Sequence, residues 1–295
     1  MFSIWLRQLR IHQWSKNLLL VVPLLTSFQS PTSSQIFSLV GGFIALSFVA
    51  SAGYVFNDIL DVAGDRNHVT KRNRPLAAGQ INLFTAKTVA VGLVVAGFAI
   101  AWAISVAAVL QLAVYALISA AYSFWLKKIA ILDVLILAGL YTLRVVVGGF
   151  LVGVQVSFWL LSFSVFFFLS IAWLKRSAEI KSMSPTGESE VARRGYSVSD
   201  LSLINGFGTA AGFMSVLVFS LYLDSAAIRT QYAVPEIAWL DIPFLIYLIG
   251  RMWLKAHRGQ MNQDPVVFLF RDWPSLLTVL LMGVALYTAH VGFAL

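Results

Sequence analysis

Apolar residues run in long, nearly unbroken stretches along this chain, and the polar residues gather in the intervals between them. A stretch of roughly 20 apolar residues is what a helix needs to cross the hydrocarbon layer of a bilayer. Nine such stretches are read: Asn17–Phe28, which is short, then Ile36–Phe56, Leu83–Ile104, Ala107–Leu126, Leu132–Val154, Phe158–Leu174, Leu201–Leu223, Ala238–Leu254 and Leu276–Phe293. Ahead of them, residues 1–14 are amphipathic, with Arg7 and Arg10 beside Trp5 and Trp14, the pattern of a segment lying in the membrane interface. No small-residue cleavage site follows it, so it reads as a retained segment rather than a signal peptide.

Composition agrees with the pattern. The 295 residues are 59% apolar and 12% charged, with a mean hydropathy of +0.82. A soluble surface carries roughly a quarter charged residues, so soluble, fibrous and disordered classes are excluded. The expectation is an all-α, polytopic membrane protein, a single transmembrane domain over residues 1–295 with no repeat and no separate soluble part. The absence of cysteine excludes disulfides, thiolate metal sites and a cysteine nucleophile.

Charge then orients the chain. All cations except Arg144 and Arg229 lie on the N-terminal segment or on the loops, with their flanks, that follow even-numbered stretches. The positive-inside rule puts the N-terminus and those loops in the cytoplasm and makes that face the site of any chemistry, in a cell (inner) membrane. The net charge of +8 thereby speaks to topology and anionic partners and gives no reason to invoke nucleic acid.

The most informative interval is Asn57-Asp58-Ile-Leu-Asp61-Val-Ala-Gly-Asp65-Arg66-Asn-His68-Val-Thr-Lys71-Arg72-Asn-Arg74-Pro75. Asp58, Asp61 and Asp65 share one face if the segment is a continuous helix. Three carboxylates so close repel one another unless a cation joins them, and oxygen-only ligands favour Mg²⁺, which binds one or two carboxylates together with substrate phosphates. Lys71, Arg72 and Arg74 add phosphate donors, so the whole is suited to stabilising a departing pyrophosphate. A solvated helix end of mixed charge is the plainer alternative. His68 carries no mark of a catalytic base.

The Asn57-Asp58-x-x-Asp61-x-x-x-Asp65 run, with Lys71 and Arg74-Pro75 following, resembles the first aspartate-rich motif of the UbiA superfamily of intramembrane prenyltransferases. The resemblance implies nine transmembrane helices around a central cavity, with Asp58, Asp61 and Asp65 holding Mg²⁺ and the diphosphate of a donor. It covers the whole chain. Aromatic prenyltransferases of that superfamily carry a second aspartate-rich motif after the sixth span, but here the segment reads Lys175-Arg176-Ser-Ala-Glu179-Ile-Lys181 and continues to Arg193-Arg194-Gly195-Tyr196 without Asp-x-x-x-Asp. A basic pocket for an additional phosphate suits it better.

Arg10-Ile-His-Gln-Trp14-Ser-Lys16-Asn17, Tyr122-Ser-Phe-Trp-Leu-Lys127, Leu143-Arg144-Val-Val-Val-Gly148-Gly149, Lys175-Arg176-x-Ala-Glu179 and Asp264-Pro265-Val-Val-Phe are similar to the decaprenyl-phosphate phosphoribosyltransferase branch. That likeness implies phosphoribosyl diphosphate as donor, a lipid-linked polyprenyl phosphate as acceptor, and a product that feeds cell-wall synthesis. The candidate substrate-binding set is Asn57, Lys16, Lys71, Arg74, Tyr122, Lys127, Arg144, Lys175, Arg176, Glu179, Arg194 and Tyr196. Asp65 is read either as holding a second metal or as hydrogen-bonding a ribose hydroxyl.

Several of these residues carry a plainer reading too. Lys127 with Lys128 can simply anchor topology, and Lys16 can be a snorkelling interfacial lysine. Arg144, inside a stretch, can form an ion pair with Asp133. Asp264 and Asp272 read first as helix caps, and the Gly41-Gly42 and Gly148-Gly149 pairs as close helix contacts. The alternatives for function are a prenyltransferase acting on a prenyl diphosphate and a small acceptor, and a transporter of an anionic solute; assembly into a homo-oligomer is left open.

Overall fold

The computed structural model describes residues 2–67, 71–183, 190–191, 195–261 and 264–292. The N-terminal helix α1 (Phe2–Gln8) is followed by a 3-10 segment (Ile11–Val21) and the short α2 (Val22–Ser27). Among the described residues, eight helices long and apolar enough to cross a membrane lie within α3 (Ser33–Leu60), α5 (Leu83–Ile104), α6 (Val106–Phe124), α7 (Leu132–Val152), α8 (Phe158–Met183), α9 (Leu201–Asp224), α12 (Asp241–His257) and α14 (Trp273–Val291), some with their flanking turns. Short helices α4 (Val62–Arg66), α10 (Ala226–Gln231), α11 (Pro235–Ala238) and α13 (Pro265–Arg271) connect them. Strands β1 (Glu190–Val191) and β2 (Tyr196–Ser197) pair antiparallel, Glu190 opposite Ser197 and Val191 opposite Tyr196. The chain is therefore an all-α polytopic membrane protein.

Eight of the nine expected stretches become these long helices. The first, Asn17–Phe28, does not: it is divided between the 3-10 segment and α2. Pro23 stands in the first turn of α2, where its missing N–H interrupts an α-helical ladder that would otherwise run through it. The long helices also overrun their apolar stretches. α3 starts at Ser33 because Thr32 and Gln35 form a reciprocal capping box. α8 continues through Lys175-Arg176-Ser-Ala-Glu179-Ile-Lys181, which is rich in helix formers.

Packing divides the chain into two compact units, one made of Met1–Leu25, Gln29–Phe124 and Leu143–Gln155, the other of Thr26–Phe28, Trp125–Thr142 and Val156–Leu295. In the first unit α3 packs on α5, α6 and the 3-10 segment. Ala52, Val55, Leu76, Ile81, Ala86 and Ala90 form a core that Ile4, Trp5 and Leu9 cover. The N-terminal segment is thus docked on the bundle, and its helix ends at Gln8. Gly148 of α7 lies so close to the 3-10 segment that a Cβ on it would stand 2.1 Å from the Leu20 carbonyl oxygen, a contact between backbones that only glycine permits.

In the second unit α8 lies along α9, and α12 packs against both α9 and α14. Ser170 of α8 donates its hydroxyl to the Gly208 carbonyl at 2.7 Å and accepts from the Trp253 indole at 3.0 Å, so α8, α9 and α12 meet at one buried hydroxyl. A second core of Leu223, Ile228, Tyr232, Ala238 and Ala289 is covered by Phe28, which stacks on His290 with ring centroids 4.3 Å apart.

Candidate active site

In the first unit the acidic motif occupies the end of α3 and the start of α4. Asp61 caps α3 at φ −89, ψ 0, and the helical hydrogen bonds Asp61 N–H to Asn57 O (3.0 Å) and Asp65 N–H to Asp61 O (2.8 Å) bracket it. This break at Asp61 bends the face that a continuous helix would have offered. Asp58 and Asp65, 4% and 2% exposed, are brought together on Arg74; among the described residues no trio of acidic or histidine side chains converges closely enough to hold one ion. The expectation of a three-carboxylate metal site thus becomes, in this arrangement, a two-carboxylate pair with a third nearby in sequence.

A cationic nitrogen joins that pair. Arg74 Nη1 lies 3.0 Å from Asp58 Oδ1 and 2.7 Å from Asp65 Oδ2. Arg10 Nη2 donates to the same Asp58 oxygen at 2.8 Å, and Gln8 Nε2 donates to Oδ2 at 3.0 Å. Arg7 donates to the Asn73 carbonyl at 3.0 Å, tying α1 to the loop that carries Arg74. Asn57 donates to the Ser123 hydroxyl at 3.1 Å, and so is held to the end of α6. The donor set fits a hard divalent cation: two buried carboxylates already embrace one positive group, and all the ligands are oxygen.

Deeper in the same unit stands Arg144, 7% exposed. Its Nε donates to Asn17 Oδ1 at 2.9 Å and its Nη2 to the Tyr115 hydroxyl at 2.8 Å, and Asn17 donates onward to Ser47 at 2.9 Å. Lys16, next along the chain, is buried as well rather than snorkelling outward. The ion pair of Arg144 with Asp133 is not what α7 makes. The two lie eleven helical positions apart, about 16 Å along the axis, beyond ion-pair reach.

Asp133 instead belongs to a buried network of the second unit. Arg176 Nε is 2.6 Å from Asp133 Oδ2, its N–H not aligned on that oxygen, and the other edge of the guanidinium contacts Glu179. Tyr196 donates to Asp133 Oδ1 at 2.6 Å and accepts from the Ile131 N–H at 2.7 Å, at a residue with φ of 68. Burial, and then the hydrogen bond to Asp133, push the Tyr196 phenol well above its usual range. Arg176 and Tyr196, expected at a substrate, are therefore engaged in fastening α7, α8 and the segment after α8 to one another, because a buried guanidinium needs its counter-charge at hand. Lys175 faces the other way, 3.3 Å from Asp264 Oδ2 and 28% exposed.

Asp264 also accepts from the Val266 N–H at 3.1 Å and from the Tyr141 hydroxyl at 3.4 Å, so it is both a cap of α13 and a partner of Lys175. Asp272 caps α14 through Ser275 and accepts from Arg251 Nε and Nη2, one edge of the guanidinium, at 2.6 and 2.8 Å. Tyr122 lies in the last turns of α6 and Lys127 in a 3-10 turn (Leu126–Lys128), both half-buried. Lys71 begins a 3-10 turn (Lys71–Asn73). Arg194 and His68 lie outside the described residues. Sequence reasoning missed Gln8 and gave Arg10 no role at the acidic motif. The signal available was one basic and one amide residue on a segment whose apolar partners are otherwise clear.

The chain matches the family model described as the UbiA prenyltransferase family over residues 18–273, and it belongs to that family. An uncharacterised protein, y4nM, of Sinorhizobium fredii is 36% identical over 91% of this chain, which spans about half (52%) of that relative's length. Nodulation protein NoeC of Azorhizobium caulinodans is 30% identical over 97% of this chain and 92% of its own. Decaprenyl-phosphate phosphoribosyltransferase of Mycobacterium tuberculosis is 31% identical over 82% of this chain and 80% of its own. Among solved structures, a UbiA homolog from Archaeoglobus fulgidus bound to GPP and Mg²⁺ shares the fold with a TM-score of 0.69, covering 97% of this chain and 99% of that one at 16% identity. Membership in a family of membrane-embedded transferases sets aside the reading as a transporter.

Proposed function

We propose that this protein transfers a phosphoribosyl group from phosphoribosyl diphosphate to a polyprenyl phosphate at the cytoplasmic face of the inner membrane, releasing pyrophosphate. The observation that carries the reading is the make-up of the end of α8, where Lys175 and Lys181 stand beside the buried Arg176 and no aspartate occurs before Asp200. A site that must hold an acceptor's own phosphate calls for such cations. A neutral acceptor does not. The likeness to decaprenyl-phosphate phosphoribosyltransferase over four-fifths of each chain supports the same choice.

The chemistry balances without an oxidant or a strong base. The bond from ribose C1 to the diphosphate oxygen breaks and its electron pair leaves with pyrophosphate. A phosphate oxygen of the acceptor, already anionic, supplies the pair for the new bond to C1. Asp58 and Asp65 would hold Mg²⁺, which supplies neutralising charge to the diphosphate when bound, and Asp61 adds a carboxylate next to them in sequence. In the first unit Arg74 and Lys71 take diphosphate oxygens, Asn57 keeps the end of α3 in place, and Lys16 and Arg144 offer positive charge to a phosphate; in the second unit Lys175 offers the same. Positioning of two anions and their electrostatic stabilisation make up most of the catalysis.

The test is donor consumption. The full chain, purified in detergent with Mg²⁺, ribose-labelled phosphoribosyl diphosphate and a short polyprenyl phosphate, is expected to give a labelled lipid and pyrophosphate. Label that stays out of lipid while a prenyl diphosphate is consumed would replace this reading with prenyl transfer.

A further inference from the structure

Arg10 adopts a left-handed backbone, φ 51 and ψ 48, at the junction of α1 and the 3-10 segment. A residue with a Cβ holds that conformation at a cost of about 1–2 kcal/mol, so something must over-determine it. Here the guanidinium does: it pairs with Asp58 at 2.8 Å and lies over the Tyr54 ring, 4.8 Å from the centroid. The backbone just before it is pinned too, since Ser51 donates to the Leu9 carbonyl at 2.8 Å and accepts from the Trp14 indole at 2.9 Å. The segment is thereby held against the acidic motif.

Gln8 adds an independent observation. It is 1% exposed, its amide nitrogen is spent on Asp58, and its carbonyl oxygen Oε1 is buried without a partner beside the cluster. Reversing the amide would set that oxygen against the carboxylate, so the orientation is determined and an acceptor is left over. Nearby, two carboxylates are balanced by two guanidiniums. Arg10 and Arg74 are 27% and 30% exposed, so both can turn outward, whereas Asp58 and Asp65 cannot.

We propose that the N-terminal segment is part of the donor-diphosphate site. Arg10, together with Arg74, is the resident counter-cation of Asp58; when a divalent ion takes the carboxylates, it passes to the diphosphate that arrives with the ion. Gln8 is a positioning residue that keeps Asp58 aimed, and its free oxygen would accept from a hydroxyl of the donor. The exchange conserves pairing, because each carboxylate trades a guanidinium for a metal and each guanidinium trades a carboxylate for a phosphate, its preferred bidentate partner. The inference rests on the reading that this cluster takes a metal-bound diphosphate, and it holds for a ribosyl or a prenyl donor alike.

Mn²⁺ as a paramagnetic probe tests it on the full chain in detergent, titrated with and without inorganic pyrophosphate. In the unaltered protein, pyrophosphate is expected to tighten Mn²⁺ binding about tenfold or more, the worth of one charge-assisted hydrogen bond. In Arg10→Gln, Mn²⁺ alone should bind several-fold more tightly, because its competitor is gone, while the gain from pyrophosphate shrinks about tenfold. Arg10→Lys, which keeps the charge, should fall between them and serves if Arg10→Gln does not fold. Gln8→Met, close in volume, should weaken Mn²⁺ in both titrations. Unchanged titrations in Arg10→Gln, or weaker Mn²⁺ binding with the gain from pyrophosphate intact, would overturn the inference and leave the transferase reading standing. No Mn²⁺ binding to the unaltered protein in either titration would overturn both.

Discussion

Arg176 Nε lies 2.6 Å from Asp133 Oδ2, and neither residue exposes more than 1% of its side chain. Removing one partner from so buried a pair leaves an uncompensated charge and costs about 3–5 kcal/mol. Arg176→Gln is therefore expected to lower the thermal midpoint of the detergent-solubilised protein sharply, and Asp133→Asn in the same chain to restore part of the loss. A variant that keeps its midpoint and loses only affinity for donor would make Arg176 a substrate ligand instead.

Asp58 and Asp61 belong to one motif but differ in what surrounds them. Asp58 accepts from Gln8, Arg10 and Arg74, whereas Asp61 makes no side-chain hydrogen bond or ion pair among the described residues. Asp58→Ala leaves the buried Gln8 amide unpaired and should cost about 1–3 kcal/mol of stability as well as turnover. Asp61→Ala should change stability by no more than about 0.5 kcal/mol while turnover falls about 10²–10³-fold. Label-transfer rates beside thermal midpoints separate the two; a fully active Asp61→Ala would remove that residue from the site.

The long helices were legible because a stretch of apolar residues ends where water begins, and the ends of α5 and α9 sit where Leu83–Ile104 and Leu201–Leu223 place them, to within a residue. The acidic motif was legible from residue type and spacing. Its partners were not: Arg10 reaches Asp58 across 48 positions of sequence, a pairing that no local periodicity encodes. Asp133 invited pairing with Arg144 because both lie on α7, but rise along a helix separates them, and the true partner comes from α8. The break at Asp61 was hidden as well, since the residues around it permit either a continuous or an interrupted helix.

The two glycines Gly139 and Gly148 both lie in α7, yet only one is required. A Cβ at Gly139 meets nothing within 4 Å, while at Gly148 it would stand 2.1 Å from the Leu20 carbonyl oxygen and 2.7 Å from the carbonyl carbon. Gly139→Ala should be neutral or stabilising by about 1 kcal/mol, through helix propensity. Gly148→Ala must push the 3-10 segment away and should cost about 3 kcal/mol or more, with lower yield of folded protein. Size-exclusion profiles and thermal midpoints of the two variants decide it; equal behaviour would mean that the close approach is not maintained in the membrane.

Tyr196 makes stability depend on alkali. Its phenol donates to Asp133 and is buried, so the folded protein holds the proton more tightly than the unfolded chain, where a phenol titrates near about 10. A group whose affinity for protons is raised by folding contributes its full stabilisation below the unfolded value. That contribution falls as pH rises past it, because the unfolded state sheds the proton first. Thermal midpoints should therefore drop between about pH 9.5 and 11 more steeply in the unaltered protein than in Tyr196→Phe. At neutral pH the same variant should cost about 1–3 kcal/mol, since Asp133 loses a donor and the Ile131 N–H loses its acceptor. Other groups with raised values, such as the buried Tyr232, are common to both proteins and cancel in the comparison. Parallel alkaline profiles for the two would show that the hydroxyl of Tyr196 is not what joins the segment after α8 to the start of α7.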